Sequence, residues 1–418
     1  MKRMEKWKKR LRILGPGLLY AGAAIGVSHL VQSTRAGANF GFELASIILA
    51  ANALKYPFFR FAPLYTAATG ENMIRAYERL GKWAVWLFLG VTLASMFVLQ
   101  AGVTLVTAGL LGQIIGGSFS VHLLAFWLLV TVLILLAAGK YHLLDGLIKY
   151  VMVLLVVSLF AAVFIAISKI HPQEIHWFFH DFSFKNPAHL AFLIAFIGWM
   201  PAPLDVSVWQ SLWTEAKNRS LRKKLNWRES LTDFHTGYVV TIITALAFLT
   251  LGALVMHEKG KSFESGSIAF AGQLIDLFTS TIGNRTFWII AIAAFTTMFS
   301  TTITCFDAYT RVTDETVRIL RHVEKHSARL QWIWMLLLFA GTMAILLFFS
   351  QNMKHMVDFA TTLSFVLAPV IAWLNYMVIT AKNVPADVRP GRFMRLYALA
   401  SLVLLTGFSV FYLYWRFV

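Results

Sequence analysis

The sequence predicts an all-α, polytopic membrane protein with about 11 transmembrane helices. Three observations predict it. The 418-residue chain is 58% hydrophobic and only 14% charged, against about 25% charged in a typical soluble domain. Separate apolar stretches of about 18 residues or more recur along it, each long enough to cross about 30 Å of hydrocarbon as helix. Their apolar residues do not alternate with polar ones, which excludes a barrel, and only helices or closed barrels satisfy every backbone group in lipid.

The spans are read at 13–36, 42–67, 83–115, 121–139, 145–168, 188–213, 234–256, 286–310, 330–350, 357–380 and 393–415. They divide the chain into a basic tail (1–12), a first five-span half (13–168), an outer loop (169–187), a second five-span half (188–380) and a last segment (381–418) that carries the eleventh span. With a cytoplasmic N-terminus, the inner segments hold about 25 Lys and Arg against about 7 in the outer ones, the asymmetry of the positive-inside rule. An odd number of spans then leaves Val418 outside. The formal charge of +17 is thereby a topology signal, so no nucleic-acid partner is expected. The bilayer is the expected surrounding, and the basic loops are placed to meet anionic lipid. The lone Cys305 cannot form an internal disulfide. The start is expected to carry no cleavable signal. Oligomeric state is not read.

The first span contains Gly15-Pro16-Gly17, then Gly22, Gly26, Ser28 and His29. Glycine weakens helix, and a polar pair at mid-depth needs partners or water, so this span is expected to be broken at its middle. The second carries Lys55, Pro57 and Arg60; Pro57 should kink it, and two charges far from its end need partners, for which Glu43 and Glu71 are the candidates. The third has only Gln100, Gln113 and hydroxyls as polar groups. In the outer loop, His176 and His180 are spaced to share a helix face, either as a metal-capturing pair or as part of an interfacial segment around Trp177.

The sixth span reads Gly198-Trp199-Met200-Pro201-Ala202-Pro203-Leu204-Asp205. Two prolines remove two backbone donors, so the helix must be interrupted, and the freed carbonyls need protein, water or an ion. Met200 is either a packing residue or a soft thioether ligand, and Asp205 is functional or paired. The eighth span is dense in hydroxyls (Ser300, Thr301, Thr302, Thr304), which either bond their own helix or offer oxygens to a hard cation. The tenth has a stripe of Thr361, Thr362 and Ser364. Spans one and six, both interrupted and five spans apart, point to an inverted 5+5 repeat with a midplane site between discontinuous helices, the eleventh span lying outside it.

On Gly15-Pro16-Gly17, Ala36-Gly37-Ala38-Asn39-Phe40-Gly41-Phe42, Met200-Pro201 and the Ser/Thr-rich stretch from Phe299 to Asp307, the chain resembles the Nramp (natural resistance-associated macrophage protein) divalent-metal transporters. The resemblance implies a LeuT-type fold and a transported divalent ion as substrate, with no resident cofactor. It implies a site in which Gly26 and His29 stand where the family has the aspartate and asparagine of its Asp-Pro-Gly-Asn break, with Met200 as soft ligand and the carbonyls of Ala23 and Ile197 completing the shell. His29 and Met200 are then the metal-ligating side chains. Asp205 is the candidate for restoring the missing negative charge. The family's histidines of span six fall on Ala202 and Ser207, and its acidic residues of span three have no counterpart.

Such a site favours Mn²⁺ or Fe²⁺ on ligand type, and Mg²⁺ if the ion keeps its water shell. Coupling to Na⁺, through carbonyls of Gly22 and Ile25 with Ser300 and Thr301, is the expected substitute for coupling to H⁺. Two other readings stand beside metal transport: a transporter of a small organic substrate such as an amino acid, and a non-transporting membrane sensor. No nucleophile–base or metal-hydrolase spacing appears, so the chain is not expected to be an enzyme.

Overall fold

A computed structural model describes residues 15–116, 119–139, 141–168, 180–220, 226–257, 260–323, 327–349 and 352–417. Among these every regular element is helical, and no strand occurs. The first span is α1 (Pro16–Ala24), a π-helix (Val27–Ser33) and α2 (Thr34–Phe40). Then come α3 (Ala45–Thr69), a short α4 (Met73–Leu80), α5 (Lys82–Ile115), α6 (Val121–Ala137) and α7 (Tyr141–Ile167). The second half holds α8 (Pro187–Trp199), α9 (Val206–Ser220), α10 (Trp227–Val255), α11 (Ser267–Ile282), α12 (Phe287–Leu320), α13 (Ala328–Phe349) and α14 (Met353–Thr380), with α15 (Arg392–Phe417) last. Six stretches among the described residues are long and apolar enough to cross a membrane: α5, α10, Asn284–Leu320 (which holds α12), Ala328–Phe348 of α13, α14 and α15.

The helices start where the sequence supplies caps. Asn186 accepts the Ala188 N–H ahead of α8, Asn352 accepts the His355 N–H ahead of α14, and Asn226 with Glu229 forms a capping box on α10, each satisfying donors the helix leaves orphaned. Two helices lie outside the expected spans. Met73–Leu80 is capped by Asn72, and Ser267–Ile282 is an amphipathic helix in the segment between α10 and α12; its mixed polarity hid it from a reading tuned to long apolar runs. The hydroxyl-rich stretch continues as helix to Leu320, with an i,i+4 pair of Arg311 and Asp307 at 2.7 Å.

Helix α10 lies across both halves of the first span at backbone contact. A Cβ on Gly17 would sit 2.1 Å from the Asp233 carbonyl oxygen, and one on Gly237 2.1 Å from the Gly17 carbonyl oxygen. Further along, a Cβ on Gly37 would meet the Leu249 carbonyl oxygen at 2.0 Å, and one on Gly252 the Thr34 carbonyl oxygen at 2.2 Å. Small residues at the contact let two membrane helices approach this closely. The same motif explains the start of α1: the Gly15 and Gly17 N–H groups donate to the Asp233 carboxylate at 2.9 and 2.7 Å, which places negative charge at a helix N-terminus. By contrast α13 and α15 are only 22% buried over their apolar windows, against 61% or more for α5, α10 and the stretch holding α12. They are the lipid-facing rim.

The second span runs as a single helix through Pro57. Pro57 has no N–H for the Ala53 carbonyl, and the Tyr397 hydroxyl of α15 donates to that oxygen instead. The expected partners of its charges differ from the observed ones. Glu43 accepts three backbone N–H groups, from His180, Asp181 and Phe182, each at 2.8 Å. Glu71 is held by Arg79. A carboxylate near three orphan amides of a loop is better satisfied there than across the membrane. His176 lies outside the described residues.

Candidate functional site

The first span is interrupted at Ile25–Gly26, one turn earlier than Ser28 and His29. Helix α1 stops at Ala24, Gly26 takes φ −73 and ψ −130, and the chain then rewinds as the π-helix that carries both polar residues. A π turn widens the helix by one residue and aims side chains off the usual register. His29 is fully buried. Its Nε2 lies 2.8 Å from the Thr241 carbonyl oxygen of α10; a carbonyl only accepts, so Nε2 carries the proton. Its Nδ1 lies 2.8 Å from Ser28 Oγ. That hydroxyl also reaches the carbonyl oxygens of Ala24 and, at 3.2 Å, Pro201, one proton among three acceptors. Ser28 therefore bridges the two breaks.

Opposite stands the break between α8 and α9. Met200 leaves the helix in extended conformation, and Met200–Pro201 is a cis peptide. The last turn of a helix leaves its carbonyls without intrahelical partners, and Pro201 has no N–H to offer Ile197. The Ile197 carbonyl accepts the Met200 N–H at 3.2 Å, and its further partner is Lys55. Its ammonium, fully buried on α3, lies 2.8 Å from the Ile197 carbonyl oxygen, 2.7 Å from that of Gly198 and 3.4 Å from that of Ala202. Asp205 lies three residues past Ala202, is 5% exposed, and accepts the Tyr309 hydroxyl of α12 at 2.9 Å. It shares this break with the carbonyls that hold Lys55.

Between the breaks lies a cavity of about 20 Å³ lined by Ala23, Ser28, Trp199, Trp209, Thr301 and Cys305, with further apolar walls. A space of that size holds a single water or bare ion. Gly26 adjoins it through Thr301: a Cβ there would sit 2.7 Å from Thr301 Cγ2 and 2.8 Å from Oγ1. The volume a larger side chain would need at position 26 is thus taken by a methyl and a hydroxyl from α12. Thr301 Oγ1 donates to the Thr297 carbonyl, and Thr297 and Thr302 bond their own helix likewise, the helix-internal role open to that stretch.

Of the residues singled out in the sequence as ligands or break-lining groups, Ala23, Ser28 and Thr301 line this cavity, and Gly26 abuts it. His29 is tied to α10, and the Ile197 carbonyl is held by Lys55. Met200 is fully buried among Phe40, Phe192, Phe196 and Leu249. Gly22, Ile25 and Ser300 lie on the two elements that meet at Gly26 and Thr301, outside the cavity wall. The sequence reading missed Thr241 and Tyr309 as anchors. It also missed the meeting of Lys55 with the proline-freed carbonyls, although both halves of that bond were visible as an unpartnered charge and unpartnered acceptors.

A second cavity, about 1380 Å³, opens at the far end of α2 and α14 and includes Asn39, His189, His257 and Lys354 in its wall. At its floor Arg35 bonds Asp358 through two contacts, 2.6 and 3.0 Å, while Gln32 reaches Asp358 at 3.1 Å and Thr361 at 3.4 Å. The ion pair spans α2 and α14 and lines this vestibule, and neither residue lines the central cavity. Trp199 Nε1 donates to Ser364 at 2.8 Å just below.

Two interrupted helices facing one another across an ion-sized cavity, inside an apolar helical bundle, define an integral membrane protein of the discontinuous-helix transporter class. The chain matches the model of the natural resistance-associated macrophage protein-like (Nramp) family over residues 17–415 and belongs to that family. An uncharacterized protein of Pasteurella multocida is 35% identical over 414 residues, 97% of this chain and 93% of that protein. The divalent metal cation transporter MntH of Bradyrhizobium diazoefficiens is 24% identical over 288 residues, 66% of this chain and 61% of its own length. Among solved structures, a mutant of the Eremococcus coleocola manganese transporter is similar at TM-score 0.70 and 13% identity, covering 97% of this chain and 86% of that one. At that identity the likeness is one of fold.

Proposed function

We propose that this protein is a secondary-active or facilitative transporter that moves a divalent metal ion of the Mn²⁺/Fe²⁺ class, with Mg²⁺ as an alternative cargo, by alternating access. The observation that carries this reading is the ion-sized cavity between two helix breaks in a chain of the Nramp family. A cavity of about 20 Å³ in this conformation supports an ion over an organic substrate. In this proposal eleven spans form a LeuT-type 5+5 repeat with an extra last helix, the N-terminus is cytoplasmic and the C-terminus outside. The interruptions at Gly26 and Met200 support the repeat.

The proposed shell is the Ala23 and Ile197 carbonyls with His29 and Met200 as soft side-chain ligands, and Asp205 as the nearby charge. For His29 to ligate through Nε2 it must leave Thr241, and for the Ile197 carbonyl to ligate, Lys55 must withdraw. Loading is therefore a conformational step, as alternating access requires. The carbonyls of Gly22 and Ile25, with Ser300 and Thr301, are the proposed Na⁺ coupling set. H⁺ remains the other coupling ion.

The test is Mn²⁺ uptake into proteoliposomes. Uptake is expected in the wild type, and His29→Ala or Met200→Ala should raise KM by about tenfold or more, the scale of lost coordination or its support. No flux of Mn²⁺, Fe²⁺ or Mg²⁺, alongside flux of an amino acid, overturns the proposal.

A further inference from the structure

The carbonyl cluster at the span-six break already holds a cation. Three neutral, hard oxygens converge on Lys55 Nζ, the ligand type that suits hard cations. An ammonium has three N–H donors, one for each carbonyl. One buried carboxylate, Asp205, follows three residues after Ala202 on the same break and is oriented by the Tyr309 hydroxyl. Lys55 is 0% exposed and sits on α3, a different helix from every oxygen it meets. The local sum is therefore one positive and one negative charge, with three acceptors satisfied by the positive one.

We infer that Lys55 is a tethered cation: its ammonium fills, from within the chain, a site that otherwise takes a free inorganic monovalent cation. The charge arithmetic selects that class. Without Lys55, the Gly198 and Ala202 carbonyls lose its ammonium, the Ile197 carbonyl keeps only the 3.2 Å bond from the Met200 N–H, and the buried Asp205 carboxylate loses a positive charge from its end of the break, each of them costly in a dry interior. A single positive charge restores both the carbonyl contacts and the charge, and a neutral side chain restores neither. The wild-type protein thus needs no free cation at this break. A simple structural tie between α3 and α8 would instead depend on the side chain, and no dissolved ion would replace it.

The experiment compares thermal unfolding of purified wild type, Lys55→Met and Lys55→Arg in NaCl, KCl and choline chloride at equal ionic strength. For Lys55→Met the midpoint in NaCl or KCl should exceed that in choline by about 3 °C or more, while wild type and Lys55→Arg shift by less than about 1 °C, because only a ligand bound to the folded state raises the midpoint. Adding Asp205→Asn to Lys55→Met should abolish the difference. Equal midpoints for Lys55→Met in the three salts overturn the inference, as does a cation effect that survives Asp205→Asn. Failure of Lys55→Met to fold in any of the salts, with Lys55→Arg folded, also overturns it, because a free cation then cannot stand in for the tethered one. The readout uses no Mn²⁺, so it stands or falls separately from metal transport.

Discussion

Replacing Asp358 with asparagine should open the floor of the large vestibule. The side chain keeps its shape but loses the charge that holds Arg35 through two bonds. Arg35 is 6% exposed and Asp358 30%, so the pair lies between two regimes. Breaking a fully buried pair costs about 3–5 kcal/mol, an exposed one contributes about 0–1, and an intermediate value of about 2 kcal/mol is about a 30-fold change in a two-state equilibrium. Gln32, left with Thr361, softens the loss without replacing the charge.

The reporter is built in, since the single cysteine of the chain, Cys305, lines the central cavity. Sealed vesicles with the vestibule outward would be treated with a small, membrane-impermeant thiol reagent. Modification of Cys305 tracks the population of the open form when opening and closing are fast. The rate in Asp358→Asn should exceed wild type by about tenfold or more, and the Cys305→Ser protein sets the background. Equal rates in two folded proteins would refute the idea that Arg35–Asp358 seals the path.

Restoring an acidic residue in the first span by Gly26→Asp should lower stability by about 1–3 kcal/mol, the cost of overpacking, since its Cβ would sit 2.7 Å from Thr301 Cγ2. Adding Thr301→Ala should return most of the thermal midpoint, and a double variant as unstable as the single one would show that the clash lies elsewhere. Just past the C-terminal end of α3, hydrogen bonds from Arg79, 2.8 and 2.5 Å long, hold the Glu71 carboxyl below the usual carboxylate range. A depressed folded-state value means that the contribution is complete above the ordinary Glu range and is lost as pH falls through the folded-state value. Arg79 is 53% and Glu71 30% exposed, so solvent screens the pair and less than about 1 kcal/mol is at stake. The wild type should lose its small midpoint advantage over Arg79→Ala as the pH is lowered past that range, and an advantage that persists in acid would contradict the assignment.

The breaks were legible in the sequence because glycine and proline act locally. Pro201 and Pro203 remove donors wherever the chain folds, and Gly26 weakens helix in any environment. The close crossing with α10 was half legible: Gly17 and Gly37 advertise small contact surfaces, but Gly237 and Gly252 lie more than 200 residues away, and nothing local pairs them. The side-chain partners were the least legible. Lys55 declared a need without naming who meets it, because carbonyl acceptors exist at every residue and become available only where helices end. Glu43 went to loop amides for the same reason. His29 was expected to face the cavity, yet the π turn rotates the register by an amount that no periodicity of 3.6 contains.

Helix α10 is a splint laid along a fracture. It grips α1 at Gly17 and α2 at Gly37 with backbone against backbone, so the two pieces of the first span cannot rock independently while both grips hold. Any bending at Ile25–Gly26 must be shared by the stretch of α10 between Gly237 and Gly252. Thr241 lies on that stretch, and its carbonyl holds His29. One hydrogen bond at the middle of the splint therefore registers whether the fracture is straight or bent.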